Sequence, residues 1–217
     1  MNQQYVKAER DPPGCSGFIQ NKFKPQICGN CNKKTIDHAT ASEEAIKRAI
    51  LYQQNTDEAT EVFPRVYVGG FKFAMDLVSL QSSKITHIVC TAKGIKEFFP
   101  TFREHPTHFQ YLHLNMIDSE DENLLERLPN AMRFIHEALY IKQGKVYIHC
   151  MQGKSRSGAI AIAYLLLIKN ISLPQALQLI KEKRPMVDPN YGFMEQLKTF
   201  QNSDVFMELR KELGIEL

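Results

Sequence analysis

Apolar positions along this chain recur with two spacings. Short apolar runs fall at Val66-Tyr67-Val68, at Ile85-Thr86-His87-Ile88-Val89-Cys90, across Gln110 to Asn115 around Tyr-Leu-His-Leu, and at Val146-Tyr147-Ile148-His149. Runs of this length, rich in β-branched and aromatic residues, predict strands. Between and after them, residues 74–81, 124–140, 157–169, 173–183 and 192–201 carry apolar residues at helical spacing, with Pro129 in the first turns of its segment and a last helix reaching Leu213. Strands alternating with helices predict an α/β fold, a central, mostly parallel sheet flanked by helices. The longest apolar run, Ala159 to Ile168, is too short to span a bilayer and reads as a buried helix.

Residues 1–60 have a different texture and are expected to form an extension, followed by a main domain over 61–205 and a helical tail over 206–217. Asp11-Pro12-Pro13-Gly14 is turn chemistry. Thr40 to Gln54 predicts a helix, opened by a Thr40/Glu43 capping box and with Ile46, Ala49, Ile50 and Gln53 along one side. Asn55 to Glu61 reads as a polar linker. Within the extension, Cys15, Cys28, Cys31 and His38 are spaced as three thiols and an imidazole around a Cys28-Gly29-Asn30-Cys31 turn. Four such donors suit a closed, structural zinc site, with Phe18, Phe23 and Ile27 as a small apolar cluster beside it. Unliganded thiols in a disordered tail, or a redox Cys-x-x-Cys, are the alternatives; no βαβ pattern surrounds the pair to favour the latter.

Composition narrows the setting. The chain has 217 residues, 43% of them hydrophobic, with 13 Phe, enough for a substantial core. A net charge of +3 gives no argument for nucleic acid or a membrane surface as a partner, and nothing here addresses oligomeric state. The first twenty residues lack the apolar stretch of a signal peptide, and an odd count of five cysteines points to a reducing compartment, cytosol or nucleus.

The chemistry concentrates in Val146-Tyr147-Ile148-His149-Cys150-Met151-Gln152-Gly153-Lys154-Ser155-Arg156-Ser157-Gly158. A strand, a tight loop and a helix N-terminus together hold anions, because loop N–H groups and the helix dipole face one spot. A thiol at the start of that loop is lowered from its ordinary pKa of ~8.5 and becomes a nucleophile. Arg156 at the far end adds a planar fork that matches two phosphoryl oxygens, which a lysine does not.

His-Cys-x5-Arg-Ser resembles the signature of the cysteine-dependent protein tyrosine phosphatase superfamily, and Ser155 and Ser157 on either side of Arg156 resemble its dual-specificity branch. Arg65-Val66-Tyr67-Val68-Gly69, Ile85 to Val89, Ala163-Tyr164-Leu165-Leu166, Arg184-Pro185, Pro189-Asn190, Gly192-Phe193 and Gln196-Leu197 extend the resemblance over roughly residues 62–202. With no rhodanese-like domain ahead of it, the chain resembles the small atypical group; the Cys-rich extension joined to Cys-Met-x-Gly-Lys-Ser-Arg-Ser is similar to plant auxin-response phosphatases.

The resemblance implies a phosphatase of phosphorylated proteins that works through a cysteinyl-phosphate and needs no cofactor for its chemistry. It expects Cys150 as nucleophile, with Arg156 and the N–H groups of Met151, Gln152, Gly153, Lys154, Ser155 and Arg156 holding phosphate. Asp118, at the end of the third predicted strand segment, is the expected general acid on a mobile loop, with Glu120 and Asp121 as rivals in the same acidic run. His149 is implied to tune the thiolate, Ser157 to help it leave, and Asn190 to support the loop. Ser155 reads as a shaper of the loop and Lys154 as an outward cation, while Cys90 reads as a buried thiol, the alternative being a disulfide partner of Cys150. A phosphoinositide or RNA 5′-phosphatase and a non-enzymatic phosphoresidue-binding adaptor remain as alternatives.

Overall fold

The computed structural model describes residues 8–19, 26–29, 31–99 and 109–215, and not the side chains of 51–56. Phe23, Asn30 and the side chain of Gln53, each invoked above, lie outside the described residues. The chain forms two compact units, Met1–Asn55 and Thr56–Leu217.

In the first unit a 3-10 turn over Thr35–Asp37 precedes helix α1, Glu43–Asp57. The expected capping box is displaced by two residues. Ser42 Oγ, not Thr40, accepts the Ala45 N–H at 3.1 Å, whereas the Thr40 hydroxyl donates to Asp11 at 2.7 Å and accepts from Phe18 N–H at 2.9 Å. A threonine with a better partner in a neighbouring loop is lost as a cap. Ala45, Ile46 and Ala49 form the buried side of the helix.

The second unit is an α/β sandwich. Strands β1 (Ala59–Phe63), β2 (Val66–Gly69), β3 (His87–Ala92), β4 (Gln110–Met116) and β5 (Val146–His149) form one sheet in the order β1-β2-β5-β3-β4. All pairings are parallel except β1 with β2. Residues 55–61 are therefore not a linker: α1 runs to Asp57 and an edge strand starts at Ala59. Only Val62 of β1 is buried, and an edge strand bonded on one side tolerates this polar sequence.

Side chains of the strands alternate between two cores, as a period of two requires. Val66, Val68, Val89, Val146 and Ile148 face helices α4 (Leu124–His136), α5 (Arg156–Lys169), α6 (Leu173–Lys183), α7 (Tyr191–Gln201) and α8 (Asp204–Glu212). Ile88 and Tyr147 face a smaller core with Phe73 and Leu80, from helices α2 (Phe71–Ala74) and α3 (Leu77–Ser82). The single helix expected over 74–81 is split because Asp76 accepts the Ser79 N–H at 3.1 Å and so starts a new one. Helix α5 is buried from Ser157 through Leu167, and each of its large apolar side chains contributes about 1.5–3 kcal/mol. The expected tail packs as well, with Phe206 and Leu209 of α8 in the main core. Among the described residues, no helix is long and apolar enough to cross a membrane.

Candidate active site

Strand β5 is central, between β2 and β3, so the residue after it emerges at the carboxyl edge in the middle of the sheet. That residue is Cys150, 2% exposed. Thr91 steadies the strand end by donating its hydroxyl to the His149 carbonyl at 2.9 Å. The chain then curls through residues 151–155 into the first turn of α5. The curl depends on Gly153, which has φ +69°; a Cβ there would lie 2.5 Å from the backbone of Gly69.

The curl directs donors inward. Gly153 N–H donates to Cys150 Sγ at 3.2 Å, and Ser157 Oγ lies 3.3 Å from the same sulfur. Burial alone pushes this thiol up. The Ser157 hydroxyl, the Arg156 charge and the N–H groups of Ser157 and Lys154 outweigh it, and the thiol titrates below its ordinary value. The outer rim is tied down by Phe71 N–H on the Met151 carbonyl at 3.2 Å and by Asp188 N–H on the Lys154 carbonyl at 3.2 Å. Lys154 points outward, as expected, its ammonium 3.2 Å from Asp188.

Arg156 Nη1 donates to the Met116 carbonyl at 3.2 Å, while its Nε lies 3.5 Å from Asp118 Oδ2, an ion pair too long for a hydrogen bond. That Nε is buried and makes no hydrogen bond among the described residues. Asp118 Oδ1 accepts from Ser155 Oγ at 2.6 Å and Asn190 Nδ2 at 3.1 Å. Its approach is set by β4, where Asn115 adopts φ +52° beside a shift in register against β3. Glu120 and Asp121 are exposed on the following turn.

Hydrogen bonds and a close glycine contact tie the turn bearing Asp118 to α7. Glu122 Oε2 accepts the Ile117 N–H at 2.9 Å. Gln196 of α7 accepts the Leu124 N–H at 2.7 Å and donates to the Glu122 carbonyl at 2.9 Å. Gly192 sits so close that a Cβ would lie 2.0 Å from the Glu120 carbonyl oxygen. Gln196 and Gly192 are visible in the sequence only as parts of a matching pattern, with no local signal of this task.

His149 is buried, stacks on Tyr147 at 5.4 Å, and has Nδ1 3.4 Å from the Cys150 carbonyl. Burial lowers its pKa to about 4. The unfolded chain takes up this proton near ~6.5 and the folded chain only near 4, so stability falls as pH drops through that window. We expect a loss of about 3 kcal/mol from this group between pH 7 and 4, measurable by urea denaturation. His149→Gln should flatten the slope, leaving the smaller contributions of His87 and His136, which burial shifts in the same direction. An unchanged slope would refute the assignment. Cys90, paired in register with His149, is buried with its thiol against the Ala92 carbonyl at 3.7 Å, and burial pushes it up to about 11, which keeps it protonated.

The first unit holds a second cluster. One ligand atom each from Cys15, Cys28, Cys31 and His38 lie within 4.8 Å of one another. His38 Nδ1 is 2.8 Å from the Lys34 carbonyl, which can only accept, so Nδ1 carries the proton and the Nε2 lone pair faces Cys31 Sγ at 3.2 Å. Cys28 Sγ accepts the Ile19 N–H at 3.4 Å. The Phe18 ring packs edge-on against His38 at 5.6 Å.

Comparison with known proteins agrees with this architecture. Residues 66–203 match the family "Dual specificity phosphatase, catalytic domain". The chain is 35% identical over 152 residues to a Xenopus laevis Slingshot protein phosphatase homolog, covering 70% of this chain but 21% of that one, so it spans about a fifth of that relative. Dual specificity protein phosphatase 1 of Arabidopsis thaliana is 35% identical over 179 residues, 81% of this chain and 86% of the relative. Such coverage exceeds the second unit alone and takes in part of the extension. The crystal structure of DUSP15 superposes with a TM-score of 0.64 at 29% identity, over 73% of this chain and 96% of that one. The parallel sheet, the thiol at its central carboxyl edge and these matches place the chain in the dual-specificity phosphatase family, in its atypical group.

Proposed function

We propose that this protein hydrolyses phosphotyrosine and phosphoserine or phosphothreonine in protein substrates through a cysteinyl-phosphate. The reading is carried by the convergence of Gly153 N–H and Ser157 Oγ on Cys150 Sγ, at 3.2 and 3.3 Å, beside Arg156. The thiolate attacks phosphorus, forming an S–P bond as the P–O bond to the leaving group breaks. Arg156 and the loop N–H groups stabilise the equatorial oxygens. Asp118 gives its proton to the departing oxygen, then as a carboxylate takes one from the water that cleaves the S–P bond. Ser157 donates to the sulfur as it leaves. Ser155 and Asn190 aim Asp118 through the hydrogen bonds described above. Such thiolate chemistry fits a reducing compartment, cytosol or nucleus.

The test of Asp118 uses leaving groups. Asp118→Ala should lower kcat about 10²–10³-fold for poor leaving groups such as a phosphothreonine peptide, and far less for p-nitrophenyl phosphate, whose phenoxide leaves unaided. Equal losses on both would remove Asp118 as the acid. Comparing phosphopeptides with inositol phosphates then tests the substrate class. The inositol phosphates carry further phosphates, and the outward cation Lys154 is already paired with Asp188 at 3.2 Å, which favours the phosphopeptides.

We further propose a structural zinc ion in the first unit. Four donors at ~2.0–2.3 Å from a tetrahedral zinc lie roughly 3.3–3.8 Å apart, which the cluster meets with little adjustment from its 4.8 Å limit. Cys15, Cys28, Cys31 and His38 Nε2 would hold the metal, and the Lys34 carbonyl orients the imidazole. Bound there, the ion would supply fold stability to the first unit.

A further inference from the structure

Arg184 caps the C-terminus of α6, is 3% exposed, and reaches the back of the loop that carries Cys150. Its Nε donates to the Gly153 carbonyl at 3.0 Å and its Nη2 to the Gln152 carbonyl at 3.4 Å, while Nη1 donates to Thr60 Oγ1 at 3.0 Å. In a trans peptide the C=O and the next N–H point in opposite directions. Engaging the Gln152 and Gly153 carbonyls from outside therefore turns the N–H groups of Gly153 and Lys154 inward. Those two are N–H groups that bear on the sulfur, Gly153 at 3.2 Å.

We infer that Arg184 is a positioning residue for the reaction: from behind the loop it orients and polarises two peptide units so that their N–H groups stabilise the Cys150 thiolate and the bound phosphate. This rests on the reading of Cys150 as nucleophile. The guanidinium never touches substrate, and the loop screens it from phosphate. Gly153 is part of the arrangement, since a Cβ there would lie 2.7 Å from Arg184 Nη2. The other groups bearing on the sulfur are Arg156 and Ser157 from α5, Tyr147 on β5 and Cys90 on β3, with Asp118 paired to Arg156 and Glu58 near Arg184.

The test is the pH dependence of Cys150 alkylation by iodoacetamide, read peptide by peptide on the full chain, for wild type, Arg184→Met and Arg184→Lys. Arg184→Met should raise the midpoint by about one pH unit and weaken inhibition by inorganic phosphate about tenfold, with the acid limb of kcat/KM moving by the same amount. Arg184→Lys, which keeps the charge but can serve one carbonyl, should fall between. A folded Arg184→Met protein whose midpoint matches wild type overturns the inference, as does failure of both variants to fold, which would make Arg184 purely structural. An ordinary midpoint in the wild type would instead overturn the nucleophile itself.

Discussion

Cys150→Ser is expected to cut steady-state turnover of p-nitrophenyl phosphate by about 10⁴-fold or more. A hydroxyl at this position stays protonated at neutral pH, and the donors that lower the thiol cannot bring an alcohol into range. The replacement is nearly isosteric and Cys150 is buried, so folding and phosphate affinity should survive. Arg156→Lys should cost about 10²–10³-fold, because an ammonium keeps the charge but cannot hold both the Met116 carbonyl and an anion in one plane. Quenched-flow detection of a burst equal to one phenolate per chain would display the cysteinyl-phosphate directly. Residual turnover in Cys150→Ser above about a hundredth of wild type would end the nucleophile assignment.

The second large effect concerns metal. The purified chain should carry one zinc per molecule by atomic absorption, bound with an apparent ~10–16 kcal/mol typical of structural sites. Cys28→Ser should release it and unfold the turns around Cys15, Cys28, Cys31 and His38, seen as loss of amide protection there. Turnover of small aryl phosphates should persist, since Cys150, Arg156, Ser157 and Asp118 all belong to the second unit. A preparation with no zinc and an intact first unit would discard the proposal.

Legibility followed how local the determining forces are. Strand β5, the Cys150 loop and α5 can be read directly, because an apolar run, a glycine-containing turn and a second long apolar run each follow from nearest neighbours. Strand β1 cannot, since Ala59-Thr60-Glu61-Val62-Phe63 has one buried position and owes its conformation to β2. The cap falls at Ser42 and not at Thr40 for a related reason: Asp11, far away in sequence, captures the better-looking Thr40. Arg184 and Gln196 were legible only as letters in a pattern, because their partners lie on other elements. The Cys15, Cys28, Cys31 and His38 spacing, in contrast, announced a cluster that the fold brings together.

Helix α7 grips the turn after β4 through Gln196 and Gly192, and Asn190 at its start binds Asp118. If Asp118 is the proton donor proposed above, Ser155 and Asn190 would hold it beside the Cys150 loop before substrate arrives. Added glycerol or sucrose should then leave kcat for small aryl phosphates unaltered, and the enzyme's tempo would be set by bond cleavage at phosphorus.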